Sequence, residues 1–334
     1  MTAPSTYKKY FTFTVFVITL VAGAWLGYSF SDEKEESQDI GYQRYFNDHY
    51  KIFTLNLPSQ LEFGGEPVPL EKVDVRERFD RELLVNTYWQ SQSLLFHKRA
   101  NRWFPIIEPI LKENGVPDDF KYLALIESGL TNVVSPAGAT GFWQILKDTG
   151  RELGLEINNE VDERYHVEKS TEAACKYLKS AYNTYGSWTM AAASYNMGIH
   201  GLKKQMGRQN AGDYYDLLLN EETSRYVFRI LAAKEIISKP AQYGFHFRPT
   251  DLYEPYKTES VILEDAVPDF SIYAMEQGIN YKILKILNPW LRDSYLTNPA
   301  KKSYEIKIPA DHAFGEVIIE QNDATNAFTS DTLK

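Results

Sequence analysis

Apolar positions first collect in an uncharged run from Tyr10 to Phe30, preceded by Lys8-Lys9 and followed by the charged stretch Ser31–Glu36. From Asp32 to about Pro69 the chain is polar, with scattered Gly and Pro and weak periodicity, which predicts a tether carrying a short strand or two. From Val73 to Glu108 apolar residues recur at helical spacing, as at Phe79, Leu83, Leu84, Thr87 and Tyr88. A break near Asn101 starts a second helix through Leu111. Residues 114–119 (Asn-Gly-Val-Pro-Asp-Asp) read as a turn, with Pro117 just inside the next helix. That helix carries Phe120, Tyr122, Leu123, Leu125 and Ile126 into Glu127 and stops at Gly129. Further helices are predicted at Phe142–Leu153, Val167–Tyr185, Trp188–Asn196, Ile199–Met206 and Glu222–Ser238, with 156–162 as a loop. Period-2 runs are scarce between 75 and 240, so this part reads as all-α. After Pro240 the texture changes. Thr258–Leu263 and Tyr304–Pro309 read as strands, and Asp269–Gln277 and Tyr281–Leu287 as short helices between them. The fold class is therefore mainly α, with a small α+β module at its C-terminal side. The expected segments are 1–31, a membrane anchor or signal peptide; 32–74, a tether; 75–240, the helical domain; 258–310, the module; and 311–334, a tail.

Composition narrows the function. A net charge of −9 argues against a nucleic-acid partner, because binding phosphates needs a basic patch. The single cysteine, Cys175, permits no intrachain disulfide and no cysteine-based metal site, and reads as a small buried hydrophobe on a helix. His97, His166 and His200 are scattered and read as surface or packing residues, so neither a metal nor an organic cofactor is expected. The run at 10–30 reaches the roughly 20 residues that span a bilayer. Lysines before it and acids after it place the body of the protein outside the cytoplasmic membrane. Either the run stays as an anchor, or Ala22-Gly-Ala24 is a cleavage site after a shorter apolar region. No cysteine lies near it, which excludes a lipoprotein anchor.

The candidate chemistry lies in Ala124-Leu-Ile-Glu-Ser-Gly-Leu130 and Ser135-Pro-Ala-Gly-Ala-Thr-Gly-Phe-Trp-Gln144. They set one carboxylate, Glu127, at the end of an apolar segment beside a glycine-rich turn. A carboxyl in an apolar wall keeps its proton towards neutral pH, as a general acid acting on a glycosidic oxygen requires. Phe142 and Trp143 would offer flat faces to sugar rings. A buried glutamate at a helix end can also simply accept hydrogen bonds from a turn. Glycoside hydrolysis usually uses two carboxylates, but Asp148 and Glu152 read as solvated. Glu222 sits at a helix start, where a carboxylate has a structural use in any case.

These motifs resemble the lytic transglycosylase (SLT) domain, the goose-lysozyme-like branch of the lysozyme superfamily, over about residues 75–240. The layout is most similar to the membrane-bound lytic murein transglycosylase D type. Glu127-Ser128 matches that family's Glu-Ser, and residues 135–144 match its Ser-Pro-x-Gly-Ala-x-Gly-x-x-Gln. Ser194-Tyr-Asn-Met-Gly198 matches Ala-Tyr-Asn-x-Gly, and Glu222-Thr-Ser-Arg-Tyr-Val227 matches Glu-Thr-x-x-Tyr-Val. Phe142 and Trp143 stand where the family has Leu and Met. The resemblance implies a lysozyme-like fold and a peptidoglycan glycan strand as partner. It implies cleavage of the β-1,4 bond between N-acetylmuramic acid and N-acetylglucosamine, leaving a 1,6-anhydro product. It makes Glu127 the acid/base, lines the cleft with Ser128, Ser135, Gln144, Tyr195 and Glu222, and gives Asn196 and Tyr226 supporting places. Residues 258–310 resemble a degenerate LysM repeat, through Ala274–Ile279, Leu284–Pro289 and the closing strand, which implies binding to N-acetylglucosamine polymers. Two alternatives are a goose-type lysozyme that uses water, and a non-catalytic peptidoglycan-binding protein.

Overall fold

The computed structural model describes residues 51–310, together with Ile40, Arg44 and Asp48. The expected anchor or signal peptide and the tail from 311 lie outside the described residues. Among the described residues no helix is long and apolar enough to cross a membrane. Residues from Leu55 onward form one compact unit.

Part of the stretch read as tether belongs to the fold. Glu62–Phe63 (β1) and Glu66–Pro67 (β2) pair as a small antiparallel hairpin. Leu61, Phe63, Val68 and Leu70 are buried in the main core around it. The helical spacing that follows folds into Val73–Tyr88 (α1) and Gln90–Glu113 (α2). The break falls at Trp89 rather than near Asn101, and α2 runs through Pro105 and Pro109. Both prolines are exposed, so the carbonyls they leave without an N–H donor face water.

Phe120–Ser128 (α3) starts three residues after Pro117, later than expected. Asp119 does not cap its own helix. Its Oδ2 accepts from the Gly64 amide and from Lys234 Nζ, both at 2.8 Å. The helix stops at Gly129, whose φ of 61° suits a residue without a Cβ. The helix expected from Phe142 starts only at Lys147, as Lys147–Glu152 (α4), because Gly141 and Gln144 adopt φ of 79° and 48° and hold 142–146 in a turn. Val167–Tyr185 (α5), Trp188–Met197 (α6), Ile199–Gln209 (α7) and Glu221–Ser238 (α8) follow the sequence pattern within a few residues. Cys175 is buried on α5, and burial pushes its thiol up to about 12.

The small alanines of α6 let it sit at the centre of the helices, against α5 on one side and α8 on the other. Its N-terminus is held from the hairpin. The Glu66 carboxylate accepts from the Trp188 and Thr189 amides (2.5 and 3.0 Å) and from the hydroxyls of Ser187 and Thr189 (2.8 and 2.7 Å). α8 lies along α1 and also touches α3, which brings the Glu222–Val227 motif to Glu127.

Beyond 257, Thr258–Leu263 (β3) pairs antiparallel with Tyr304–Pro309 (β4), in register from Thr258↔Pro309 to Leu263↔Tyr304. Phe270–Glu276 (α9) and Tyr281–Leu287 (α10) lie between them. Phe270, Ala274, Leu284, Trp290 and Ile306 form a second core. Val161, from the loop before α5, is part of that core and pairs with Leu291. The same seam carries Asp162 N–H to Trp290 O (2.9 Å) and Arg292 N–H to Glu160 O (2.7 Å).

Candidate active site

Glu127 lies in the last turn of α3, whose preceding residues Tyr122 to Ile126 are all buried. The Tyr226 hydroxyl of α8 donates to Glu127 Oε1. Burial pushes the Glu127 carboxyl up from its ordinary value. The Tyr226 hydrogen bond and the charge of Arg229 oppose that rise, and the charge of Glu222 adds to it. Tyr195 and Tyr226 are themselves held well above the ordinary phenol value, by burial first and then by the Glu127 charge. The group is thus an apolar-walled acid with one phenol on it, a second phenol near it, and a cation and an anion pulling its proton affinity in opposite directions.

α8 is fixed so that Tyr226 meets this carboxyl. Buried Glu82 of α1 accepts from Arg225 Nε and Nη2 (2.7 and 3.3 Å), and also pairs with Arg81. Arg225 directly precedes Tyr226. Arg229, one turn further, donates to Ile126 O at 3.2 Å and so ties α8 to the backbone beside Glu127.

The turn after α3 is built mostly by its own polar side chains. The Ser128 hydroxyl donates to Phe142 O (2.9 Å) and accepts the Leu130 amide (3.1 Å), so it pins the turn to the end of the helix. Ser135 Oγ accepts from the Ala139 amide at 3.0 Å. Gln144 donates both amide hydrogens to carbonyls, of Gly141 (2.8 Å) and Val133 (3.1 Å). Only its Oε1 remains to meet a ligand, so it offers an acceptor and not the donor that holding an acetyl oxygen requires. Gly141 is the turn's fixed point. Its φ is 79°, and a Cβ there would lie 2.0 Å from Arg164 O. Arg164 in turn pairs with Asp162 (Nη2–Oδ2 2.7 Å) and donates to Gly138 O and Ile145 O (3.1 and 3.2 Å).

Phe142 and Trp143 do not present faces to solvent. They are 2% and 0% exposed. The Trp143 indole N–H donates to Thr171 Oγ1 at 2.8 Å, inside the core. Both side chains turn inward because the left-handed residues on either side reverse the chain over them.

On the far side, the Tyr195 hydroxyl donates to Trp143 O (2.7 Å), which leaves its lone pairs for a donor. Asn196 Nδ2 donates to Glu222 Oε1 (3.1 Å), and Asn196 Oδ1 accepts from the Thr223 hydroxyl (2.7 Å). Glu222 is exposed, and it is the carboxylate whose charge reaches Glu127. Asp148 and Glu152 are exposed on α4, as expected. The structure therefore brings Glu127, Tyr195, Asn196, Glu222 and Tyr226 together, with Gln144 and Ser135 in the turn beside them. Sequence reasoning missed Arg229 and Glu82. The spacing of Tyr226 and Arg229 puts both on one face of α8 and was a usable signal for the first. Nothing local marked Glu82, which is distant in sequence. Among the described residues there is no cluster of three or more His, Cys, Asp or Glu suited to a metal.

Residues 104–218 match the transglycosylase SLT domain family, and residues 259–312 match the soluble lytic transglycosylase C-terminal LysM-like domain. The chain thus carries a match to an SLT domain and, after it, a match to a LysM-like domain. Glu127, the turn, Tyr195 and Asn196 lie inside the first match, and Glu222 and Tyr226 lie just past its end. The chain is 29% identical over 245 residues to membrane-bound lytic murein transglycosylase D of Escherichia coli K12, an alignment covering 72% of this chain and 52% of that protein. The same protein from Escherichia coli O6:H1 (strain CFT073) aligns with the same figures. The chain therefore spans about half the length of the curated relatives it matches. Among solved structures it is similar to the 70 kDa soluble lytic transglycosylase of Escherichia coli, with 19% identity, a TM-score of 0.39, and coverage of 54% of this chain and 32% of that one.

Proposed function

We propose that the chain is a peptidoglycan lytic transglycosylase with Glu127 as its acid and base. It acts on the β-1,4 bond between N-acetylmuramic acid and N-acetylglucosamine, in remodelling of the cell wall. The observation that carries this reading is the Glu127 carboxyl, raised by burial and tied to Tyr226. Protonated Glu127 donates to the leaving glycosidic oxygen as the bond to C1 breaks, and the substrate's own N-acetyl oxygen supports the positive charge at C1. The resulting carboxylate takes the proton of the muramic 6-hydroxyl, whose oxygen then bonds to C1. Glu127 ends protonated, and no water is consumed. The two halves need opposite charge states. Burial and the Glu222 charge favour the acid form, while Tyr226 and Arg229 stabilise the carboxylate. Ser135, Gln144, Tyr195, Asn196 and Glu222 line the substrate side, and residues 75–240 and 258–310 act as catalytic and glycan-holding modules. The uncharged run at 10–30 fits membrane attachment on the outer side of the cytoplasmic membrane.

The exposure of Glu222 and its coupling to Glu127 favour one second reading, a hydrolase in which Glu222 activates water. Mass spectrometry of the muropeptides released from peptidoglycan separates the two. Products lighter by one water than reducing-end muropeptides, and absent with Glu127→Gln, support the transglycosylase. Reducing-end products support the hydrolase. Retention on peptidoglycan without products supports a binding protein.

A further inference from the structure

Where the helical part meets the LysM-like part, a cavity of about 110 Å³ opens between α2, the turn after α3, the start of α5, α10 and β4. One wall is aromatic. Trp103 stands edge-on to Phe142 (5.0 Å, 87°) and to Tyr256 (6.0 Å, 83°). Trp290 stacks on Tyr304 (5.7 Å, 25°) and lies 5.7 Å from the His166 ring. The polar wall is His166, Glu168 and Lys307. Glu168 pairs with Lys307, and its Oε2 lies 3.1 Å from His166 Nδ1. Burial opposes ionisation of Glu168, yet His166 and Lys307 prevail and hold it at about 2, so its charge offsets that of Lys307.

An anion entering this cavity meets no uncompensated cation. A cation meets a carboxylate already paired with Lys307. What remains is aromatic surface with a few polar groups beside it, the surroundings of a neutral amphipathic ligand. A cavity of about 150 Å³ accommodates a benzene-sized group. The space here suits an acetamido group, with the pyranose ring across the mouth. Asn132 lines the same cavity and sits in the turn between Glu127 and Gln144, so the cavity adjoins the loop of the acid site.

We propose that this inter-domain cavity is a binding site for one N-acetylamino sugar of the glycan strand, separate from the site at Glu127. The proposal rests on the glycan reading of the chain. It means that a strand is gripped at a seam built by both parts and cut at a set distance from the gripped sugar.

The test is ¹⁹F NMR of the full chain in detergent, carrying Glu127→Gln and labelled with 5-fluorotryptophan, titrated with N,N′-diacetylchitobiose. Saturable shifts of the Trp103 and Trp290 signals, with buried Trp143 unmoved, are expected. Ile286 lines the mouth and is 41% exposed. Ile286→Glu places a charge there without touching either core, and is expected to weaken those shifts about tenfold or more in affinity. Sodium acetate at equal concentration is expected to leave them unmoved. Static Trp103 and Trp290 signals, shifts that survive Ile286→Glu, or equal shifts with acetate would each overturn the proposal. Cleavage of peptidoglycan by the chain with Glu127 intact is read separately. Lost cleavage with retained shifts sinks the catalytic reading alone, and the converse sinks this one alone.

Discussion

At the scale of the residue, the site is one carboxyl under four influences, burial and three neighbours, and each neighbour can be removed singly. Glu127→Gln keeps size and removes the proton, so near-complete loss of cleavage with an intact fold is expected. The same variant has a stability signature. A carboxyl whose folded value is raised adds stability at pH below its unfolded value, and loses it as pH rises through the folded value. Glu127→Gln is therefore expected to unfold at higher temperature than the parent at pH 7, with the gap closing towards and below the ordinary carboxyl value of 4.5. Thermal unfolding at several pH values checks this. The neighbours predict opposite shifts in the pH–rate profile. Tyr226→Phe removes a hydrogen bond that lowers the Glu127 value, so the alkaline limb of kcat/KM moves to higher pH. Glu222→Gln removes a charge that raises it while keeping an acceptor for Asn196, so that limb moves to lower pH. Shifts of the same sign in both variants would contradict the arrangement. At this scale the buried carboxyl of Glu127 was legible in the sequence, because an apolar run ending in Glu-Ser-Gly is local. The contact with Tyr226 was not, since it spans 99 positions and depends on how α8 is anchored. The inward turn of Trp143 was hidden too, because an aromatic beside glycines gives no sign of which side it packs on.

At the scale of the element, helix bounds followed the hydrophobic period closely where a helix is amphipathic, as for α5. They failed where backbone conformation decides. Residues 142–146 have helix-like composition, but Gln144 takes a left-handed conformation that only the carbonyls of Val133 and Gly141 explain. Likewise the tether reading missed Glu66, which sits among Gly and Pro with no clear period and whose partners lie more than 120 positions away. Glu66 satisfies the first amides of α6 with a charge suited to the helix N-terminus. Glu66→Ala is expected to cost about 2 kcal/mol and to lower Tm by about 4–8 °C, measurable by calorimetry. Gly141→Ala forces a Cβ onto the backbone oxygen of Arg164, which its hydrogen bonds hold in place. It is expected to cost upwards of about 3 kcal/mol and to depress cleavage by displacing Gln144. Urea unfolding and the muropeptide assay read the two effects.

At the scale of the whole molecule, the two cores share a seam rather than a linker, because Val161 of the first part is a member of the second core. Calorimetry is expected to show one cooperative transition for the unit from Leu55 onward. Val161→Ala, far in sequence from 258–310, is expected to lower its stability by about 1–2 kcal/mol. The strand–helix–helix–strand order of the module was plain from period and turns. Its fusion to the 156–168 loop was not, since that loop is short and polar and shows its use only once Trp290 and Arg292 are set against it. The buried cysteine gives the intact chain one more property. Its only thiol, on Cys175, is packed inside α5 and protonated at any ordinary pH. To a maleimide or spin-label reagent the native protein is therefore blank. A cysteine introduced at exposed Val134 and another at exposed Met275 would be the only reactive thiols. Probes there would report the spacing of the two parts with and without added glycan, with Cys175 left in place.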